Sequence, residues 1–199
     1  MIKSLFLSAL SLLLLSCTYS ETNEITETPT GISAEQQAFW GNLQQHCGNS
    51  YQSNFADATP YYQPFDAAET RVHFFNCSDE IIHIALHIGD NHSRNLLLTK
   101  TDSTLRLKHD HRNSDGSEET ITMYGGDAPR PGLETRQIFW ADDHTAQILP
   151  LRHDNFWFLD VMNDSTFAYG VHWPIQGNSI RIEFDITQTI DTPPTPWGY

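Results

Sequence analysis

The densest group of side chains able to do acid–base or metal chemistry lies in the stretch LRLKHDHRNSDGSEE, residues 105–119. His109 and His111 are separated by one residue, so on a β-strand both imidazoles project from the same face. Two imidazoles at this spacing, with a carboxylate opposite, make a ligand set for a divalent metal ion. The simpler interpretation is a polar strand end, in which the histidines hydrogen-bond to their neighbours.

The alternation around this stretch places both histidines in an apolar row. The leucines at 105 and 107 lead into His109 and His111 on one face, and charged residues occupy the positions between them. The next turn contains Gly116, and a three-residue loop with this glycine in the left-handed conformation keeps both faces consistent. That register pairs Leu107 with Met123, His109 with Ile121, His111 with Glu119 and Arg112 with Glu118.

We therefore predict that His109, His111 and Glu119 gather on the inner face at one end of the fold, where a ligand-binding mouth is expected. As a metal site they would hold a divalent ion, the one cofactor that the sequence suggests. His83 and His87 lie about 13 Å apart along a strand, too far to share an ion, and are predicted to be surface residues. No catalytic motif of a hydrolase, zinc protease or phosphate-binding loop is present, so no catalytic residue is assigned.

The elements that must position these side chains are antiparallel strands. Apolar and polar residues alternate in EIIHIALHI (80–88), FAYGVHW (167–173) and SIRIEFDI (179–186), which is typical of strands with one buried face. Similar runs occur near residues 71–76, 94–99, 104–111, 118–124, 136–140, 145–150 and 156–162. The pattern predicts a mostly β fold: a single antiparallel barrel or sandwich of about 8–10 strands.

One helix is predicted in front of this sheet, over residues 34–47. Ser33 and Gln36 make a capping box, Phe39, Leu43 and Cys47 share one face, and Gly48 follows as a C-terminal cap. The predicted domain covers residues 33–190. A proline-rich tail, residues 191–199, cannot continue a strand, and Trp197 is a candidate to hold it against the domain.

The first residues, MIKSLFLSALSLLLLSC, combine one lysine with an apolar run too short for a permanent membrane span. The ending Leu14-Leu15-Ser16-Cys17 resembles the lipobox of bacterial lipoproteins. The resemblance implies a signal peptide of residues 1–16, lipidation of Cys17 and, with Thr18 next, anchoring to the outer membrane facing the periplasm. Residues 17–32 are polar and acidic, which predicts a flexible tether.

Two cysteines, Cys47 and Cys77, remain after the anchor is assigned. In an exported protein such a pair is predicted to form a disulfide, worth roughly 3 to 4 kcal/mol for a loop of about 30 residues. Two free buried thiols are the alternative.

The charge balance bears on partners. Twenty-five acidic residues face eleven basic ones, for a net charge of −14, and no cluster of lysines and arginines is available for a phosphate backbone. Nucleic acid is therefore not an expected partner. An acidic surface also keeps an anchored protein soluble.

The segment LKHDHRNSDGSEETITMYGG with the ending PPTPWG resembles a group of secreted or lipid-anchored bacterial proteins without an assigned activity. The architecture is similar to that of lipocalin-like barrels, which implies a ligand cavity. Lipocalins carry Gly-x-Trp on the first strand, whereas here Phe39-Trp40-Gly41 falls in the predicted helix.

Three functions follow as hypotheses. The first is an envelope protein whose barrel binds a small, apolar ligand, without enzymatic activity. The second is a metal-binding protein or metal-dependent enzyme built on His109, His111 and Glu119. The third is an envelope interaction or structural lipoprotein, which would display a large exposed apolar patch.

Overall fold

A computed structural model of the chain describes residues 30–58, 69–129 and 131–199. The predicted signal peptide (1–16), Cys17 and most of the tether (17–32) lie outside the described residues. The last tether residues are ordered: the Gly31 amide donates to the Asp102 carbonyl oxygen at 2.7 Å, and Ile32 packs against the core. Among the described residues, none of the helices has the length and apolar character needed to cross a bilayer.

Ten antiparallel strands form one barrel-like sheet, as the alternation predicts. Their spatial order is β6-β5-β4-β3-β2-β1-β10-β9-β8-β7, so every neighbour but one is also a neighbour in sequence. The strands are β1 (Ser50–Ala58), β2 (Thr70–Cys77), β3 (Ile81–Ile88), β4 (Asn91–Lys100), β5 (Leu105–His111), β6 (Tyr124–Asp127), β7 (Arg136–Trp140), β8 (Phe156–Met162), β9 (Thr166–Trp173) and β10 (Asn178–Asp185).

The outer strands of the sheet, β6 and β7, approach each other and nearly close the barrel. The Asp142 amide donates to the Gly125 carbonyl oxygen at 2.9 Å across this seam. A Cβ added to Gly126 would lie 1.9 Å from the Trp140 carbonyl oxygen, so only glycine allows this approach. Lys108 and Asp142 form an ion pair over the same seam. Gly125 and Gly126 thus lie in strand β6 at this seam.

The N-terminal helix closes one end of the barrel. Helix α1 spans Ala34–Gln44, with the predicted capping box of Ser33 and Gln36 in place. It ends three residues before the predicted boundary, and the Gly48 amide donates to the Phe74 carbonyl oxygen of β2 and not to the helix. Phe39, Trp40 and Leu43 of α1 are fully buried in the core.

The inward rows are the predicted ones. The alternating residues of β3, β9 and β10 are buried: Ile82, Ile84 and Leu86; Phe167, Tyr169, Val171 and Trp173; Ile180, Ile182 and Phe184. Near α1 the barrel is filled, since the Phe167 ring centroid lies 5.2 Å from that of Phe74 and 5.9 Å from that of Phe184. Cys47 and Cys77 form the predicted disulfide, which ties the end of α1 to β2.

Two predicted strands differ from the structure, and one observed strand was not predicted. Residues 145–150 were predicted as a strand but form helix α2, Asp143–Ile148, because Asp142 caps it by accepting from the Thr145 amide at 2.9 Å. The strand predicted at 118–124 is displaced to β6. Strand β1 was not predicted, since its sequence SYQSNFADA is polar and a bulge between Ser53 and Phe55 breaks its alternation.

The C-terminal residues lie on the outside of the sheet over β3, β4 and β5. The Trp197 amide donates to the His92 carbonyl oxygen at 3.1 Å, and the Tyr199 hydroxyl donates to the buried Asp110 carboxylate at 2.5 Å. His83 and His87 lie on this outer face. Their prediction as surface residues is wrong: His87 is fully buried and His83 is half-buried beside the Tyr199 ring.

Candidate functional site

The turn after β5 determines what stands beside the two histidines. Gly116 adopts the predicted left-handed conformation, with φ +87°, and Arg112 bridges to Glu118 as predicted. The Glu119 amide donates to the His111 carbonyl oxygen at 3.0 Å, so His111 lies opposite Glu119 as predicted. Beyond this pair the predicted register is wrong: His109 pairs with Tyr124 and not with Ile121, and Leu107 pairs with Gly126 and not with Met123.

The register moves because residues 120–122 leave the ladder. They lie between the Glu119 amide, which donates to the His111 carbonyl oxygen, and the Met123 amide, which donates to the His109 carbonyl oxygen at 2.6 Å. The Thr122 hydroxyl accepts from the His111 amide at 2.8 Å and donates to Asp110 at 3.2 Å, so a side chain replaces the expected backbone partner. Met123 then takes a positive φ of 57°, and the chain re-enters the sheet at Tyr124. The consequence is that an aromatic side chain faces His109.

The end of the barrel opposite α1 is hollow. A cavity of about 420 Å³ opens there, within the range of about 300–1,000 Å³ typical of small-molecule sites. It contains the three predicted site residues, His109, His111 and Glu119, together with side chains from β3, β4, β6, β8, β9, β10 and the turns between them. These others are Leu86, Arg94, Leu96, Ile121, Tyr124, Leu149, Arg152, Asn155, Trp157, Tyr169, Val171, Trp173 and Ile180.

His109 lies deepest of the predicted residues, with 2% of its surface exposed. Its Nδ1 donates to the Tyr124 carbonyl oxygen at 3.1 Å, which leaves Nε2 to accept from the Tyr169 hydroxyl at 3.0 Å. The Tyr124 ring stacks on the imidazole, with centroids 4.6 Å apart. Burial, and then the neighbouring His111, lower the pKa of His109 to about 3. The ring is therefore neutral at physiological pH.

His111 lies nearer the opening than His109, and its imidazole also pairs with a tyrosine hydroxyl. Its Nε2 lies 2.9 Å from the Tyr124 hydroxyl, and its Nδ1 lies 3.7 Å from Glu119 Oε2. Burial, and then the positive charge of Arg94, lower the pKa of His111 to about 4. Burial also raises the pKa values of Tyr124 and Tyr169, so both phenols keep their protons.

Two arginines bring positive charge to the cavity. Arg94 belongs to the inward row of β4, ahead of Leu96 and Leu98, and its Nη1 donates to Asn91 Oδ1 at 3.2 Å. The Arg152 guanidinium lies over the Trp173 ring, 5.1 Å from its centroid. These cations border an apolar interior in which Trp157 approaches both His109 and Tyr124.

The structure thus brings His109, His111 and Glu119 to one cavity, as predicted. Within the part of the chain that the structure describes, no cluster of three or more His, Cys, Asp or Glu residues has the arrangement of a metal site. Both ring nitrogens of His109 are already hydrogen-bonded. Metal binding remains a prediction.

Sequence reasoning missed the tyrosines, tryptophans and arginines of the cavity. Arg94 could have been found, because an arginine in the row Arg94, Leu96, Leu98 interrupts an apolar face. Tyr124 could not, since its position depends on the irregular segment 120–122. Comparison of the chain with protein-family models, with curated proteins and with solved structures found no match.

Proposed function

We propose that this protein is a binding protein of the bacterial cell envelope whose barrel takes up a small, largely apolar ligand. The observation that supports this is the cavity at the end opposite α1. Its walls are aromatic and aliphatic, and a few polar side chains project among them, which is the usual composition of a small-molecule site. One end of the barrel is filled and the other is not, which suits a site open to solvent on one side.

Titration with a neutral naphthylamine fluorophore tests this function. Trp157 and Trp173 line the cavity, so a bound probe should quench their emission by energy transfer while its own emission rises. Native mass spectrometry of the same samples should show one probe per chain.

A cavity-filling variant makes the test specific. Val171 lines the cavity, and in Val171→Phe the ring should enter it and weaken probe binding at least tenfold. The matched control is Leu133→Phe, at a residue that is 60% exposed, which should bind the probe like the unaltered protein. Failure of the unaltered protein to bind any apolar probe would contradict the function and favour the envelope interaction hypothesis.

We also propose that the chain is anchored to the outer membrane by lipid on Cys17 and faces the periplasm. The support is the sequence alone: a short apolar segment that ends in Leu-Leu-Ser-Cys. Multiple acyl chains on one cysteine make a stable anchor. In a Gram-negative host, the unaltered protein should fractionate with membranes and incorporate labelled palmitate. Cys17→Ser should do neither, and membrane recovery of an unlabelled Cys17→Ser protein would refute the anchor.

Metal binding is the second candidate. Its support is that His109 and His111 share the cavity with Glu119 and are neutral, the form in which imidazole ligates a metal. A metal there would have to displace the hydrogen bonds of His109 to Tyr169 and of His111 to Tyr124. A divalent-ion titration tests this candidate, because only a metal site would give binding that depends on His109 and His111.

A further inference from the structure

We infer that the ligand of the barrel cavity is an amphipathic organic acid, whose anionic head pairs with Arg94 while its apolar body fills the aromatic interior. This inference rests on the proposed binding function and assigns the chemical class of the ligand. An acidic head group may be a carboxylate or a phosphate monoester, and both present oxygens to a guanidinium in the same way.

Arg94 projects from the sheet toward the cavity. It stands on the inner face of β4, across from His111 of β5 and Leu86 of β3. Its charge reaches the interior, since it depresses the pKa of His111 and acts on Tyr124 and Tyr169 as well. The guanidinium therefore borders the cavity and not the outer surface of the sheet.

Arg94 has no acidic partner among the described residues. Its hydrogen bonds there go to neutral oxygens: Asn91 Oδ1 at 3.2 Å and Ser93 Oγ at 3.4 Å. Four other arginines of the domain do pair with carboxylates: Arg106 with Asp127, Arg112 with Asp110, Arg136 with Asp160 and Arg181 with Asp160. The chain has 25 acidic and 11 basic residues, yet no carboxylate of the described residues forms an ion pair with Arg94.

The histidines and tyrosines around Arg94 do not neutralise its positive charge. The imidazoles of His109 and His111 stay neutral and the phenols of Tyr124 and Tyr169 stay protonated at physiological pH, from the directions of their pKa values. Glu119 is the single carboxylate among the residues lining the cavity. It lies near His111 and makes no ion pair with Arg94. A cation bordering an apolar cavity attracts an anion more strongly than it would in water, because the local dielectric constant is lower.

The rest of the ligand would meet an apolar wall. Trp157, Val171 and Ile180 offer apolar surface in the cavity that Arg94 borders. Asn155 also lines the cavity and is 2% exposed, and its Oδ1 has no hydrogen-bond partner among the described residues. Buried amides of this kind are normally satisfied. A polar substituent on the ligand would find a hydrogen-bond partner in this amide.

The experiment compares three ten-carbon probes that differ in head group: decanoate, decanol and decylamine. Each is measured at neutral pH by displacement of the neutral naphthylamine fluorophore. Decanoate is expected to bind at least tenfold more tightly than decanol, and decylamine more weakly than either. Decyl phosphate, run beside decanoate, identifies the preferred acid, and a preference for either one over decanol supports the inference.

Variants assign the effect to one side chain. Arg94→Met keeps most of the length of the side chain without its charge, so it should reduce the decanoate–decanol ratio to about one while decanol binding is retained. Arg94→Lys should keep part of the ratio. The matched control is Arg71→Met on β2, which removes an arginine beside His87 on the outer face and should leave the ratio unchanged.

The outcomes are distinguishable. If neither decanoate nor decyl phosphate binds the unaltered protein more tightly than decanol, or if the preference is unchanged in Arg94→Met, the inference is overturned and the binding function stands. Absence of binding by the fluorophore and by every ten-carbon probe overturns the binding function, and the inference with it.

Discussion

Two groups of buried histidines lie on opposite faces of the same sheet, and they differ in what covers them. The inner pair, His109 and His111, borders the cavity. The outer group is formed by the buried His87, whose Nδ1 lies 2.7 Å from that of His92, and by His73 beside them. Burial is the main cause of a lowered pKa in both groups, to about 3 for both His87 and His109.

The outer group is closed by the chain itself. The Trp197 ring stands over His92, and Tyr199 packs edge-on against Phe75 and His83. Beside them Asp110, 1% exposed, binds the guanidinium of Arg112 and the hydroxyl of Tyr199. The C-terminal residues cover the histidines of the outer face, whereas the histidines of the inner face border a cavity. Buried histidines thus contribute to the stability of the fold where the chain covers them, and they are available to a ligand where it does not.

The largest expected effect is on the outer face, at Asp110. Asp110→Ala removes the buried carboxylate that accepts from Arg112, Thr122 and Tyr199, and leaves Arg112 paired with the exposed Glu118. Hydrogen bonds to a charged group contribute about 1.5–3 kcal/mol each, so the unfolding free energy should fall by about 3 kcal/mol. Urea denaturation measures it. The matched control, Asp127→Ala, breaks the exposed pair with Arg106 and should cost less than about 1 kcal/mol. Equal losses in the two variants would show that the C-terminal segment adds nothing to the outer face.

The next effect depends on pH. The pKa of His87 is lowered from 6.5 in the unfolded chain to about 3 in the fold, so below pH 6.5 the unfolded state binds more protons and stability falls as pH falls. At pH 5 this amounts to about 2 kcal/mol, from about 1.4 kcal/mol per pH unit. His87→Phe should therefore flatten the loss of stability between pH 7 and pH 5, measured by denaturation at each pH. An unaltered slope would mean that His87 is accessible to protons in the folded state.

A smaller effect distinguishes the two faces by their tyrosines. Tyr199→Phe removes one partly exposed hydrogen bond to Asp110 and should cost about 1 kcal/mol of stability while decanol binding is unchanged. Tyr124→Phe removes the hydroxyl next to His111 inside the cavity, and should alter probe affinity. Thermal melts and probe titrations of both variants check this. If Tyr199→Phe changed probe affinity as much as Tyr124→Phe, the two faces would not be independent.

The smallest expected effect is that of zinc. We expect zinc to leave the melting temperature unchanged, because a metal at His109 would have to break the hydrogen bonds of both ring nitrogens. Stabilisation by zinc would establish the metal alternative, provided that His109→Ala and His111→Ala both abolish it. In that case His83→Ala, on the outer face, should keep it.

Much of this arrangement can be derived from local pattern. The period-two alternation placed His109 and His111 on the inner face with Leu105 and Leu107, and the capping box of Ser33 and Gln36 marked the start of α1. Eight of the ten strands, all but β1 and β6, also follow, because a half-buried strand needs one apolar row whatever its neighbours are. Cys47 and Cys77 were paired by counting, and they form the disulfide.

The strand pairing that follows an irregular segment could not be predicted from local pattern. Nothing local shows that Thr122 would replace a backbone partner of His111 and shift Tyr124 into the place predicted for Ile121. Residues 145–150 were predicted to be a strand from their alternation, but they lie in and after helix α2. Asp142 caps this helix and its amide donates to Gly125 at the seam between β6 and β7, a contact that exists only once the barrel closes.

The outer face shows the same division most clearly. Alternation assigned Asp110, His83 and His87 to the side away from the core, and that assignment is right. Whether such residues are solvated depends on what lies over them, and here the C-terminal residues 197–199, far away in sequence, cover this face. Side-chain direction is a property of the strand and can be read from neighbouring residues. Burial depends on contacts between distant segments, so the cavity, its unpaired arginine and the covered histidines emerge only in the folded chain.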